Sequence, residues 1–280
     1  MITKLILIVV LFFGITLNGY SKYSDDDSVP LNGSILKFED AYGASKYTSG
    51  IIHYETSDKA SIEATVITSD TKTPRPGIIF IHMWARDRQT FWGLPEYLAT
   101  HGYSSIYMDL RGHGNSKYPP GNNIPGLKAQ NSFKDLYLDI LPAIEIINNN
   151  KSVKKNNLVL IAASLGCPLS MIALDNNQDK FIAMIHLSPS VGYFDVNCQQ
   201  TVKKIKNINT LVIADMLDES FMSAKFFFYS IPAPYKSFLP IKDVGHGTNI
   251  LYHNLGFPTI ILEWITQSEK LYPIIKKFQN

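Results

Sequence analysis

Three side chains, far apart in the sequence, have the types and settings needed to break an acyl bond. Ser164 lies in Ala162-Ala163-Ser164-Leu165-Gly166, where an apolar stretch from Leu158 runs directly into a helical pattern. A strand that reverses into a helix within a residue or two bends sharply, and small flanking residues let the backbone close. The central residue of such a bend takes strained dihedrals, its side chain is thrust out of the fold, and the next amide is free for a developing oxyanion. The usual pattern is Gly-x-Ser-x-Gly, and Ala162 takes the first glycine's place. A serine hydroxyl is a weak nucleophile near neutral pH. It needs a neutral imidazole to accept its proton and a carboxylate to fix that imidazole's tautomer and stabilise its cation. Both occur downstream, in Asp215-Met216-Leu217-Asp218-Glu219 after one predicted strand and in Val244-Gly245-His246-Gly247-Thr248 after the next.

The elements that must position these groups can be read from hydrophobic period and punctuation. Strands are expected at 51–55 and 62–67, as an antiparallel hairpin on a sheet edge, and at 77–81, a continuous apolar run of the kind buried on both faces. A helix at 90–100, a strand at 103–110 and a long loop rich in Gly and Pro reaching Gly126 come next. They are followed by a helix at 132–148, a strand at 157–163, the helix after Ser164 and a strand at 181–187. A short helix at 199–205, strands at 210–214 and 237–241, and helices at 221–230, 249–253 and 259–267 complete the chain. This alternation predicts an α/β fold with a mostly parallel central sheet, helices on both faces and ligands at the carboxyl ends of the strands.

The order Ser, Asp, His, each after a separate strand, resembles the alpha/beta-hydrolase fold. Ile81-His82-Met83-Trp84 resembles that superfamily's strand-end His-Gly loop, with Met83 where the glycine stands. Asp109-Leu110-Arg111-Gly112-His113-Gly114-Asn115-Ser116 resembles its Asp-x-Arg-Gly-His-Gly-x-Ser turn. The likeness runs from about 51 to 267. Within the superfamily, Ala163 before the serine and the Gly-His-Gly-Thr block are similar to dienelactone-hydrolase-type and related small serine esterases. Dienelactone hydrolase itself has Cys at the nucleophile position, where this chain has Ser. The resemblance implies Ser164 as nucleophile, His246 as base and Asp218 as the acid, with Asp215 supporting its turn and Glu219 solvated. It also implies an oxyanion hole from the Leu165 and Trp84 amides. Met83, Trp92, His186, Tyr193, Phe194 and Phe221 are candidate substrate-pocket residues, and His186 also reads as a hydrogen-bonded core residue. His82 and His113 are expected to be structural, and His53, His101 and His253 to be surface or packing residues. The segment from Leu187 to Phe194 passes quickly to the next helix, leaving no room for a large cap domain, so the pocket is expected to be shallow and open.

The 280-residue chain carries a net charge of only +2, with its basic residues scattered, and so lacks the concentrated field that nucleic acid or anionic lipid would need. A small-molecule ester is the expected partner, and no cofactor or metal is implied. Residues 1–21 carry Lys4, an apolar run and then Gly19 and Ser21 at signal-cleavage spacing. Roughly 13 apolar residues at 1.5 Å each span about 20 Å, short of a bilayer core of about 30 Å, which favours a cleaved signal over an anchor. The expected organisation is therefore a signal peptide at 1–21, a linker and lead-in at 22–50 and the hydrolase domain at 51–280, with export to a periplasm or the cell exterior. Cys167 and Cys198 are the only cysteines and are expected to be unpaired thiols, Cys167 buried. A peptidase, amidase or thioesterase of the same fold, and a catalytically inactive binding protein, are the alternatives.

Overall fold

The computed structural model describes residues 45–118, 133–233, 235–253 and 256–277. The predicted signal segment, most of the lead-in and the end of the Gly- and Pro-rich loop through Gly126 lie outside the described residues.

The chain begins with the expected hairpin, β1 (Tyr47–Glu55) and β2 (Ser61–Ser69). β1 starts at Tyr47 rather than 51, because the backbone of β2 offers partners as far as Ser69 and edge pairing needs no apolar side chains. Next come β3 (Arg75–Ile81), a 3-10 turn (Arg88–Phe91) and α1 (Leu94–Thr100). The single helix expected at 90–100 is thus broken, by left-handed backbone at Trp92 and Gly93. β4 (Ser105–Met108) leads to a 3-10 segment (Phe133–Asp139), α2 (Ile140–Asn148), β5 (Val153–Ala163), α3 (Gly166–Leu174) and β6 (Phe181–Leu187). A two-stranded hairpin, β7 (Gly192–Tyr193) with β8 (Val196–Asn197), precedes α4 (Gln199–Val202). β9 (Asn209–Asp215), α5 (Phe221–Ser230), β10 (Lys236–Ile241), α6 (Asn249–His253) and α7 (Phe257–Lys277) follow.

The sheet runs β1-β2-β4-β3-β5-β6-β9-β10, antiparallel at β1–β2 and β2–β4 and parallel from β4 onward. Side chains alternate faces along a strand, so β5 feeds both halves of the core: Leu158, Leu160 and Ala162 pack on one face and Val159, Ile161 and Ala163 on the other. The first face is covered by α2, α3 and α5, through residues such as Ile144, Leu169 and Phe227. The second is covered by α1, α6 and α7, the last through Phe257, Ile261, Trp264 and Ile265 at helical spacing. Each such aliphatic side chain contributes about 1.5–3 kcal/mol by leaving water. Among the described residues the span from β6 to α4 contains the small β7–β8 hairpin and no cap helices. Cys167 and Cys198 are both free and buried. No described helix is long and apolar enough to cross a membrane.

Candidate active site

The parallel strands bring their carboxyl ends to one edge, and the turn after β5 carries Ser164 there. Ser164 has φ 48°, in the left-handed region, and its amide donates to Leu187 O at 2.9 Å, which pins the bend to the end of β6. Gly166 then allows α3 to start hard against the neighbouring strand. A Cβ at that position would lie 2.5 Å from Ile81 O and 2.8 Å from His82 O, closer than real atoms approach. Ala162 is fully buried among apolar side chains, so a methyl group is accommodated where the motif usually has glycine.

The structure brings Ser164, His246 and Asp218 together. His246 Nε2 lies 2.7 Å from Ser164 Oγ, and His246 Nδ1 lies 2.5 Å from Asp218 Oδ2. With the carboxylate on Nδ1, that nitrogen carries the proton and donates it, leaving the Nε2 lone pair to accept from the serine hydroxyl. Burial alone would raise the Asp218 carboxyl. The hydrogen bond to His246, the Ser220 amide, the imidazole's charge and the Ser220 hydroxyl outweigh it and hold the carboxyl below its ordinary value. Ser220 N donates to Asp218 Oδ1 at 2.9 Å, fixing the acid's orientation. Glu219 is exposed, and the histidine's carboxylate partner is Asp218.

Asp215 does more than support its own turn. Oδ1 accepts from Leu217 N at 2.9 Å and Asp243 N at 3.1 Å, while Oδ2 accepts from Val244 N at 2.6 Å and Gly245 N at 2.7 Å. Burial would raise this carboxyl, but the four backbone amides prevail and lower it. The sequence offered no sign of this reach across the sheet edge. Nor did it reveal Ser188, whose Oγ accepts from Gly247 N at 3.0 Å. Ser188 has φ 49°, nearly that of Ser164, at the end of the adjacent strand. Asp215 and Ser188 together hold the loop on either side of His246.

The loop bearing Met83 and Trp84 is secured differently. His82 is buried, its Nδ1 donating to Met83 O at 2.7 Å and its Nε2 accepting from Leu110 N at 2.9 Å. Burial, assisted by nearby His113, pushes its pKa down to about 3, so the ring stays neutral. At the other end Arg88 is buried between Glu63 and Asp109, with Nε 3.1 Å from Thr65 Oγ1. The Asp-x-Arg-Gly-His-Gly-x-Ser turn is structural throughout: Asp109 also accepts from Asn115 N, Ser116 Oγ accepts from Glu63 N, and Arg111 clasps Asp139 and Asp58. His113 Nδ1 faces Arg111 O at 3.2 Å. His53 meets Glu63, and His101 meets Tyr97 O; the His253 side chain lies outside the described residues. The Leu165 and Trp84 amides have no acceptor among the described residues.

The candidate pocket residues fall into separate groups. Trp84 packs on Phe194 (ring centroids 5.4 Å apart), which in turn meets Tyr193 and stacks on Phe133. Trp92 packs on Tyr252, and Phe221 on Phe238. Met83 is nearly buried beside Gly247. His186 is a core residue, as one reading of the sequence had it, but without the hydrogen bond expected of it. It is fully buried against Phe227, with no partner for either nitrogen among the described residues, because its position in β6 points it into the core face under α5. Ser164 is only 5% exposed, while the His246 side chain is 37% exposed.

A mostly parallel sheet with an antiparallel edge, helices on both faces and a Ser–His–Asp chain on its carboxyl-end loops defines an alpha/beta hydrolase. The family model described as Serine aminopeptidase, S33, matches residues 72–225, and the chain belongs to that family of hydrolases. No curated protein matches the sequence significantly. Among solved structures, the Pyrococcus furiosus esterase Pf2001 is similar, with a TM-score of 0.62 and 17% identity over 79% of this chain and 93% of its own. Acetyl xylan esterase 1 from a Thermoanaerobacterium species gives 0.62 and 16%, covering 80% of this chain and 88% of its own. Dienelactone hydrolase from Anabaena variabilis gives 0.61 and 13%, covering 81% and 98%. At these identities the likeness is one of fold.

Proposed function

We propose that the protein is a serine hydrolase that cleaves carboxylic esters of small molecules through an acyl-enzyme. The observation that carries this reading is the continuous hydrogen-bonded chain from Asp218 through His246 to Ser164, at 2.5 and 2.7 Å. Ser164 Oγ attacks the ester carbonyl as its proton passes to His246 Nε2, and Asp218 stabilises the imidazolium. The tetrahedral oxyanion is received by the Leu165 and Trp84 amides, each such donor being worth about 3 kcal/mol of barrier. The imidazolium then protonates the departing alcohol. In the second half, water gives a proton to His246 as its oxygen attacks the acyl carbon; the acyl–Oγ bond then breaks as the imidazolium returns that proton to Ser164 Oγ, releasing the carboxylic acid and restoring the neutral ring. Only the neutral ring can accept the serine proton.

A peptidase reading has its own support, since the family model is named for a serine aminopeptidase, and amide and ester cleavage use one constellation. Labelling with a fluorophosphonate probe, with Ser164→Ala as control, tests the nucleophile. Parallel assays on nitrophenyl esters and aminoacyl nitroanilides separate the two readings: turnover of esters alone supports the esterase, and turnover of the anilides alone overturns it. The N-terminal pattern supports export of the mature chain, which sequencing the N-terminus of the secreted protein would test.

A further inference from the structure

The two loops that flank Ser164 are joined by a contact that the proposed chemistry does not itself use. Thr248 follows His246 by two residues and is fully buried, and Thr90, in the 3-10 turn after β3, is nearly so. Their Oγ1 atoms lie 2.6 Å apart. The Thr248 hydroxyl also reaches Met83 Sδ at 3.4 Å. A threonine has one hydroxyl proton, so when Thr248 donates to the sulfur, Thr90 is the donor in the shorter contact. Met83 is in turn placed by its own carbonyl, which accepts from His82 Nδ1. Its sulfur fills the space left by the missing side chain of Gly247: a Cβ there would lie 2.5 Å from Sδ and 3.7 Å from Ser164 Cβ. Gly247 is also in the left-handed region, with φ 59°.

We propose that Thr248 is a positioning residue that holds the base loop and the oxyanion loop in register through Thr90 and Met83. The inference rests on the assignment of Ser164, His246 and the Trp84 amide given above. Space-filling alone does not require this arrangement, since valine has nearly the volume of threonine. What the hydroxyl adds is direction. One end of the bridge is two residues from the proton acceptor, and the other is the residue preceding Trp84. A small slip between these loops would lengthen the Ser164–His246 contact or tilt the amide away from the forming oxyanion. Arg88, two residues before Thr90 in the same turn, extends the tie into the buried charges of Glu63 and Asp109.

The test uses p-nitrophenyl acetate turnover and the rate of fluorophosphonate labelling. Thr248→Val is expected to lower kcat about tenfold with KM changed less than about twofold, since misplacement of reacting groups acts on the chemical step. Thr248→Ser, which restores the hydroxyl, is expected to recover most of that loss. Met83→Leu, which keeps the bulk but removes the acceptor, should cost about threefold, and Met83→Leu with Thr248→Val no more than Thr248→Val alone, because the two act through one contact. A kcat for Thr248→Val within twofold of wild type, equal losses in the Val and Ser variants, or multiplicative losses in the double variant would overturn the proposal. Should Thr248→Val fail to fold, Thr90→Val and Met83→Leu decide the matter: reduced kcat at constant KM supports the bridge, and unchanged kcat in both overturns it. Ser164→Ala separates the two levels. Labelling retained in that variant removes the functional reading and this inference together, whereas labelling lost there but undiminished in Thr248→Val removes this inference alone.

Discussion

The two loops that converge on Ser164 are anchored by opposite means. The loop from His82 to Arg88 is held at its far end by paired charges out of water, Arg88 with Glu63 and Asp109. The loop from Asp243 to Thr248 is held by backbone amides on a single carboxylate and by serine and threonine hydroxyls. Removing one member of a buried ion cluster leaves its partners charged and unpaired, whereas a carboxylate that collects amides can be weakened by degrees. The first loop should therefore fail abruptly and the second gradually.

The largest effect should follow Arg88→Met, which takes the guanidinium away from the Glu63 and Asp109 carboxylates and leaves them to His53 and Asn115. A loss of about 3–5 kcal/mol in urea unfolding is expected, as for other broken buried pairs; a loss below about 1 kcal/mol would erase the contrast. Asp215→Asn should cost about 2–3 kcal/mol at pH 7, since it turns an amide donor toward groups that need an acceptor. Because the Asp215 carboxyl is held below its ordinary value, its contribution is fully present above the unfolded value of about 3.9 and is lost as pH falls through the folded one. The gap between wild type and Asp215→Asn should therefore narrow below about pH 4, and a gap independent of pH would show that charge is not what holds the loop.

His186 sharpens the comparison by supplying a buried polar group with no hydrogen-bond anchor among the described residues. Burial pushes it down to about 3, so the fold keeps it neutral while the unfolded chain protonates it below about pH 6.5. Acidification through that window favours unfolding. Replacing it with leucine should gain about 2 kcal/mol relative to wild type on going from pH 7 to pH 5, measured by denaturant midpoints. An unchanged difference at the two pH values would mean that the ring finds a partner. The smallest effect is expected for Ser188→Ala, about 1 kcal/mol, the net worth of one hydrogen bond to Gly247 N.

Where local pattern decided structure, the sequence could be read closely. β6, α5 and α6 match their expected ranges, since each is a run of one period ended by a change of period or by turn residues. The ends of elements were underestimated. β1 extends through polar residues because its backbone finds partners in β2, β5 starts earlier at Val153, which pairs with Arg75 before the register shifts to Leu158, and α7 continues to Lys277 with Pro273 inside it. The β7–β8 hairpin, two residues a side, was too short for any periodicity to register. At the site, Ser164, Asp218 and His246 could be nominated because each follows a strand. The reach of Asp215 to Val244 and Gly245 could not, because it spans 29 and 30 residues of chain and depends on how two strand ends meet.

Ser164 and Ser188 stand as near twins, two hydroxyls raised on the same backbone twist at the tips of adjoining strands. One faces an imidazole, and the other is occupied by a peptide N–H. The same turn thus presents its hydroxyl to two different neighbours, and on the proposed mechanism it is the imidazole, not the turn, that would make Ser164 reactive. A covalent probe that finds one hydroxyl and spares the other would read out that distinction directly, as a modified peptide bearing Ser164 beside an unmodified one bearing Ser188.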